Sequence, residues 1–184
     1  MFKFNVTGNA DKIQKMLADA KRAHPKAAAV ALNRTAATVR SVAVKSIADD
    51  LGIKQKMVRA ATQIRKATPG NALTATIEAR GKGIPVILLK PSPKKVIRPQ
   101  PGQGISFQKG KGVRGFIAGA FIGRRRSTGK LAVWKRSGKR REFLNMQFGP
   151  SIPIIFEQIQ SALRAVVSDR FPKEFRSALK FFKR

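Results

Sequence analysis

The 184-residue sequence contains no cysteine and only one histidine. Without cysteine, neither a disulfide nor a thiolate metal site can form. His24 stands between Ala23 and Pro25 at a predicted helix break, where no neighbouring group could pair with it as a metal ligand or general base. We therefore interpret His24 as an exposed loop residue.

Acidic residues are also scarce, and they form no metal-binding motif. A nuclease needs carboxylates that converge on a divalent cation. The acidic residues are instead scattered along the chain: Asp11, Asp19, Asp49, Asp50, Glu78, Glu142, Glu157, Asp169 and Glu174. The glycine and lysine run at 109–112 fits no G-x-x-x-x-G-K-[ST] frame. These observations predict a protein that is not an enzyme and has no catalytic residue, metal or cofactor.

Long apolar runs are missing as well. No segment approaches the roughly twenty apolar residues that cross a membrane. The start, Met1 to Val6, lacks the long apolar segment of a secretory signal. We expect a soluble protein without membrane contact, made and used in a cytoplasm.

Positive charge is abundant. Lys and Arg number 39 against nine acids, which gives a net charge of +30. Between Leu51 and Arg141 there are 23 Lys or Arg residues and one acid, Glu78. Because so much like charge repels itself, we expect an acidic or polyanionic partner for this part of the chain.

Three short apolar segments separated by basic, glycine-bearing turns lie between Val113 and Pro153. In the first, Phe116, Ala118, Ala120 and Ile122 alternate as in one strand, and Phe121 gives its other face apolar character. The second runs from Leu131 to Lys135 and the third from Phe143 to Phe148. This pattern predicts an antiparallel meander.

The same segments resemble the signature of the bacteriophage minor tail protein Z family. The matching residues are Gly119-Ala120-Phe121-Ile122, then Gly129 with Val133-Trp134-Lys135-Arg136, and then Phe148-Gly149-Pro150-Ser151-Ile152-Pro153. Ala31-Leu32-Asn33-Arg34-Thr35-Ala36 is similar to the opening helix motif of that family. The matches bracket the chain from about Ala31 to Pro153.

This resemblance implies a structural virion protein of a tailed bacteriophage, at the head-proximal end of the tail or the neck. The family's role is to complete the tail so that it joins the filled head. The implied partners are the connector, tail terminator or tail tube, and the implied form of the protein itself is a homo-oligomeric ring, for example a hexamer. The implied location is the virion, with the host cytoplasm during assembly.

The N-terminal residues predict a short strand from Phe2 to Val6 and a helix after Asn9 that ends near Arg22. An alanine-rich segment predicts a long helix from about Lys26 to Asp50. Gly52 then stands at a tight corner before a second helix that carries Lys54, Lys56 and Arg59. This corner supports the alternative function, a helix-turn-helix-like or nucleoid-type DNA-binding protein, which would prefer one duplex sequence over others.

The middle of the chain predicts extended structure. Segments 61–67 and 73–80 flank a turn sequence, Thr68 to Asn71, and further strands are predicted at 84–89 and 104–108. Pro91 to Gln103 holds four prolines and predicts an extended basic excursion. It is either an arm toward a subunit or nucleic acid or a solvated loop.

Basic residues on these loops are the candidate contacts for DNA or for an acidic partner surface. The successive meander turns need not lie at the same end of the sheet. As phosphate contacts they would be neutral to sequence. The candidates are Lys94, Lys95, Arg98, Lys109, Lys111, Arg124, Arg125, Arg126, Lys130, Arg136, Lys139, Arg140 and Arg141.

The C-terminal residues predict two amphipathic helices with a break at Pro172. The second carries Phe171, Phe175, Leu179 and Phe182, which either contact another subunit or pack on their own domain. The overall prediction is one α+β domain over 1–184, with an antiparallel meander sheet packed against a long N-terminal helix and a C-terminal helix. Within it, 1–60 is helical, 61–149 is the basic sheet with the excursion at 91–103, and 150–184 is helical.

Overall fold

The computed structural model describes residues 1–6, 24–69, 73–96, 102–138 and 143–182. The chain forms two compact units. Unit 1 comprises Met1–Ser46, Gln55–Gly81 and Pro153–Arg184, and unit 2 comprises Ile47–Lys54 and Lys82–Ile152. Helices and antiparallel strands are both present, which confirms the α+β class. The helix predicted between Asn9 and Arg22 lies outside the described residues.

Unit 1 combines a small sheet with the long helices. Its strands are β1 (Phe2–Asn5), β2 (Thr62–Arg65) and β3 (Thr76–Ala79), in the antiparallel order β1-β3-β2. Its helices are α1 (Pro25–Leu51), α2 (Gln55–Ala61), α3 (Ile152–Gln158) and α4 (Gln160–Phe182), although residues 47–51 and 152 belong to unit 2. The opening strand and the hairpin of β2 and β3 are as predicted.

Helix α1 begins and ends where its sequence predicts. Pro25 occupies the first turn, where its missing N–H is no loss, and the Ala28 N–H donates to the His24 carbonyl at 3.1 Å. The apolar stripe along the helix is fully buried: Leu32, Ala36, Val39, Ala43 and Ile47. At the C-terminus Gly52 adopts φ +63°, and the Ile53 N–H donates to the Ala48 carbonyl at 3.0 Å. This Schellman cap ends the helix.

The inner face of the β1-β3-β2 sheet is apolar. Phe4, Ile77 and Ile64 occupy one row across the three strands. Phe156 of α3 is fully buried, with its ring centroid 5.4 Å from that of Phe2 and 6.4 Å from that of Phe4. The aromatic cluster therefore joins the first strand of the chain to its C-terminal helices.

Glu78 of β3 is a buried carboxylate on a polar sheet face. It lies opposite Lys3 and Gln63 on the polar face, yet its side chain is only 2% exposed. Arg80 Nη2 donates to its Oε2 at 2.7 Å, and Arg65 Nε lies 2.6 Å from Oε1 without the alignment of a hydrogen bond. The two arginines cover the carboxylate, so the polar face of this sheet contains a buried ion-pair cluster.

The C-terminal helices correct one prediction. The predicted break at Pro172 is wrong, because Pro172 lies inside α4. A proline removes only one backbone donor, and the buried Phe171 and Phe175 stack at 5.9 Å on either side of it. The boundary between α3 and α4 lies at Ile159 instead. Even there the Ile159 N–H donates to the Ile155 carbonyl and the Leu163 N–H to the Ile159 carbonyl, so helical hydrogen bonds continue across it.

Unit 2 contains β4 (Gly83–Pro85), β5 (Gly104–Gly110), β6 (Val113–Ala118), β7 (Ala120–Arg124), β8 (Leu131–Arg136), β9 (Leu144–Met146) and β10 (Phe148–Ser151). They form three antiparallel sheets, β4-β10, β5-β6 and the meander β7-β8-β9, where the sequence predicted one sheet. The strand predicted at 84–89 is shorter, because a 3-10 helix (Val86–Leu88) follows Pro85.

The predicted first strand of the meander is divided at Gly119. This glycine adopts φ +71°, a conformation that residues with a side chain rarely take, and its N–H donates to the Gln103 carbonyl at 2.8 Å. As a result β6 pairs with β5 while β7 pairs with β8. The alternation from Phe116 to Ile122 looked continuous, but it belongs to two sheets.

Asn33 connects α1 to the segment after β2. Its Nδ2 donates to the Ala67 carbonyl at 3.0 Å, and its Oδ1 accepts from the Ala67 N–H at 2.7 Å. We expect Asn33→Ala to lower the free energy of unfolding by about 1–3 kcal/mol, because both groups of the buried Ala67 lose their partner. Urea denaturation measures this change.

Ser41→Ala is the matched control for that prediction. Ser41 lies on the same helix, is exposed, and donates only to the Ala37 carbonyl of its own helix. Its removal should change the free energy of unfolding by less than about 0.5 kcal/mol. Equal losses for the two variants would contradict the role assigned to Asn33.

Candidate functional site

Unit 2 carries positive charge that its own residues do not neutralise. Its sequence holds 18 Lys or Arg residues against three acids, and no acid lies between 79 and 141. The ion pairs among the described residues all lie in unit 1, between Arg34 and Glu174, Arg65 and Glu78, Arg80 and Glu78, and Lys173 and Asp169. The basic side chains described in unit 2 therefore have no ion-pair partner among the described residues.

In unit 1, by contrast with unit 2, described acids and cations form ion pairs with each other. Lys173 Nζ donates to Asp169 Oδ1 at 2.6 Å, and this hydrogen bond lowers the pKa of the Asp169 carboxyl. Arg34 of α1 lies 3.7 Å from Glu174 of α4. Asp169 and Glu174 thus pair within unit 1.

The turn between β7 and β8 is basic and held by its own backbone. The Arg125 N–H donates to the Lys130 carbonyl and the Gly129 N–H to the Arg125 carbonyl, both at 2.8 Å. Gly129 adopts φ +65°, and Arg124 Nη1 donates to its carbonyl at 3.1 Å. Arg124, Arg125, Arg126 and Lys130 are all exposed, so this turn presents a fixed cluster of cations.

The turn between β8 and β9 lies at the opposite end of the meander. It is closed by a hydrogen bond from the Ser137 N–H to the Phe143 carbonyl at 3.1 Å. Arg136 is exposed here, whereas Lys139, Arg140 and Arg141 lie outside the described residues. Because strand order in the meander is β7-β8-β9, the structure does not bring Arg136 to the Arg124–Arg126 end.

The remaining candidate cations lie on other parts of unit 2. Lys109 and Lys111 are exposed at the tip of the β5-β6 hairpin. Lys94 and Lys95 are exposed beyond Ser92, which exchanges two backbone hydrogen bonds with Ser106 at 2.8 and 3.0 Å. Arg98 lies outside the described residues. The basic excursion is therefore anchored to β5 where it begins.

The predicted subunit contacts on α4 are largely internal. Phe171 and Phe175 are buried, Leu179 is half-buried, and Phe182 is 41% exposed. Phe181, which sequence reasoning did not select, is 75% exposed and packs edge-on against Phe182 at 5.3 Å. Only the end of the predicted apolar stripe is accessible, and its contact with another subunit stays a prediction.

The helix corner is present, but its second helix is short. α2 has seven residues and continues directly into β2. Lys54, Lys56 and Arg59 are exposed, and the Arg59 carbonyl accepts from Arg40 Nη2 at 2.8 Å. Sequence-specific DNA binding through this corner stays a prediction.

The described residues form no metal-binding cluster and no membrane-spanning helix. No group of three His, Asp or Glu side chains there could hold a metal ion. A pocket of about 290 Å³ at the start of α1 is lined by His24, Pro25, Lys26, Ala27 and Phe182. It offers no acid and base pair. Among the described helices, none is long and apolar enough to span a membrane.

The packing in unit 2 gives physical reasons for the motif residues noted in the sequence. Ala120 and Ile122 are buried beside Gly119. A Cβ on Gly149 would collide with Leu89 Cδ1 and lie 3.3 Å from Phe107 Cε2. A side chain at position 149 would therefore force the buried Leu89 to move, and Ile152 of the same motif is also buried. The motif residues therefore hold the fold of unit 2.

Exposed cations without an ion-pair partner are thus the prominent surface feature of the described part of unit 2. The sequence model of the family described as prophage minor tail protein Z (GPZ) matches residues 6–184. The chain belongs to this family, whose members are structural proteins of the phage tail. Neither a search of curated proteins nor a search of solved structures found a match.

Proposed function

We propose that this minor tail protein acts at the head-proximal end of the tail or the neck and makes the tail competent to join the filled head. It works as a homo-oligomeric ring that contacts the connector, tail terminator or tail tube. The observation that supports this proposal is the uncompensated positive charge of unit 2 in a chain of this family. Such a surface needs acidic neighbours.

The mechanism is assembly through surfaces, without a chemical step. The exposed cations of the β7-β8 turn and the β5-β6 tip attract acidic protein surfaces or the end of the packaged DNA. Contacts to DNA phosphates release counterions, so their affinity falls steeply with salt concentration. Contacts to acidic proteins speed association and select the partner.

Electron microscopy of lysates from a phage that lacks this gene tests the proposal. We expect filled heads to accumulate beside unjoined or defective tails. Normal joined virions would overturn the proposed role. The same mutant phage is then grown in bacteria that supply variants of the protein from a plasmid.

In that complementation assay, R124E/R125E/R126E is expected to restore few joined particles. Reversing three exposed charges should remove at least about 1.4 kcal/mol of attraction, or about tenfold in affinity. The matched control is K26E/K45E/R176E, which reverses three exposed cations of unit 1 and should complement like wild type. If both variants restore equally few joined particles, joining depends on the overall charge of the protein and not on the cations of the β7-β8 turn in particular.

A further inference from the structure

The two faces of the meander β7-β8-β9 differ. Ala120, Ile122 and Val133 point to the inner face and are buried. The outer face carries the residues between them: Phe121 and Gly123 on β7, Ala132, Trp134 and Arg136 on β8, and Leu144 and Met146 on β9. Phe121, Trp134 and Met146 form a half-buried row across all three strands, and Leu144 is 38% exposed. Ala132 of the same face is buried, so the outer face is apolar and its accessible part is the row of Phe121, Trp134 and Met146 with Leu144.

Internal contacts hold the rings of the outer face in place. Trp134 Nε1 donates to the Gly123 carbonyl at 3.3 Å, and a Cβ on Gly123 would lie 3.3 Å from Trp134 Cδ1. The Arg136 guanidinium lies 5.9 Å from the Phe121 ring centroid. Since the indole N–H already has an acceptor, the centre of the face offers rigid apolar area and no free hydrogen-bond donor.

Positive charge stands at both ends of this face and not in its middle. Arg125, Arg126 and Lys130 lie at the end where β8 begins, and Arg136 lies at the end where it finishes. The five residue steps from Leu131 to Arg136 separate these ends by about 17 Å. The rows between them, Gly123 with Ala132 and Phe121 with Trp134 and Met146, carry no charge.

This arrangement fits a protein better than it fits nucleic acid. Duplex DNA carries one negative charge per about 1.7 Å of its axis, so a surface that follows DNA needs cations along its length. Half-exposed Leu144 and Met146 add aliphatic area, which an apolar side chain fills and a phosphate does not. Two copies paired through this face would bring the cations at its ends close to like charges, which opposes pairing of the face with itself.

We propose that the outer face of the meander docks an acidic protein segment whose apolar residues cover Phe121, Trp134 and Met146. Carboxylates at the two ends of that segment pair with the β7-β8 turn and with Arg136. The inference rests on the proposed function, because the segment belongs to a neighbouring tail or head protein. It adds a defined apolar contact to the charge attraction described above.

The test uses the full-length protein with the double variant L144S/M146S. Both side chains are at least partly exposed on the edge strand β9, so their replacement spares the buried core. The matched control is V113S/F116S, which removes two exposed apolar side chains from β6 in the same unit. The probes are heads and tails purified from the phage that lacks this gene, a 20-nucleotide oligothymidylate and a 20-base-pair duplex.

Cosedimentation first shows whether the wild-type protein binds heads or tails. L144S/M146S should bind the same particle at least about tenfold more weakly, as expected when apolar side chains are removed from a buried contact. R136E should weaken the same binding, whereas V113S/F116S should bind like wild type. Fluorescence anisotropy should show that L144S/M146S keeps its affinity for both nucleic acids. Circular dichroism spectra that match wild type establish that the variants fold.

Two results would overturn this inference while leaving the proposed function intact. One is particle binding by L144S/M146S that equals that of wild type. The other is loss of oligothymidylate or duplex binding in L144S/M146S with particle binding retained, which would assign the face to nucleic acid. Failure of the wild-type protein to bind either particle would instead overturn the proposed function, and this inference with it.

Discussion

Replacing Phe156 by alanine is expected to lower the free energy of unfolding by about 3–5 kcal/mol, the range for deleting a fully buried aromatic ring. Phe156 has no solvent exposure, and its ring packs against Phe2 and Phe4. The substitution removes the ring between the opening strand and the C-terminal helix, and neighbouring side chains fill the cavity only in part. Urea denaturation followed by circular dichroism measures the loss.

Ile154→Ala on the same helix is the control for Phe156→Ala. Ile154 is 52% exposed, so its truncation creates no internal cavity. We expect its effect to stay below about 1 kcal/mol. If the two variants unfold at the same urea concentration, Phe156 does not hold the aromatic cluster together.

Removing both arginines that cover Glu78 is expected to cost about 3–5 kcal/mol, because a buried carboxylate is left without its compensating charges. The variant R65M/R80M keeps the aliphatic length of both side chains, so the loss reports on charge. Glu78→Gln should cost less than R65M/R80M, since the arginine side chains are 66% and 53% exposed and remain solvated without their partner. Chemical denaturation at neutral pH compares the variants.

The triple variant R65M/R80M/E78Q separates charge from packing. When the carboxylate is also removed, most of the stability lost in R65M/R80M should return, because no uncompensated charge remains buried. Arg34→Met provides an exposed reference, as its contact with Glu174 is long at 3.7 Å and its side chain is 56% exposed. A triple variant no more stable than R65M/R80M would contradict the electrostatic explanation.

Ion pairs among the described residues distinguish the two units. Glu78, Asp169 and Glu174 of unit 1 each contact cations of that unit. The 18 cations of unit 2 face only three acids in its sequence. Unit 1 holds 21 Lys or Arg residues against six acids, so both units carry a net charge of +15, but among the described residues only those of unit 1 form ion pairs. The proposed partner surface follows from this difference.

Local sequence patterns predicted the elements that depend on few distant contacts. The apolar period and flanking Pro25 and Gly52 predicted α1 to within one residue at each end. The turn sequence from Thr68 to Asn71 predicted the hairpin of β2 and β3, because a turn between two extended segments suffices to pair neighbouring strands. The break predicted at Pro172 failed because the burial of Phe171 and Phe175 outweighs the loss of one helical hydrogen bond.

The sequence identified residues of the candidate site, but it did not predict how they are arranged in space. Charge counting along the chain identified Arg124, Arg125, Arg126 and Arg136, all of which are exposed. It could not show that the last of these lies at the other end of the meander from the first three. In the sequence, only Phe121 and Trp134 indicated the outer face. Met146 completes their row across the sheet, but it lies on β9, twelve residues after Trp134.

The sequence by itself determined the α+β class, the long helix, the absence of cysteine chemistry, the excess of positive charge and the family to which the chain belongs. These properties depend on composition, local periodicity and short motifs. Only the tertiary structure decided that Gly119 divides one apolar run between two sheets, that Glu78 is buried under two arginines, and that three strands share an apolar outer face. Each of these depends on strand pairing between distant residues, and no local pattern encodes which strands will pair.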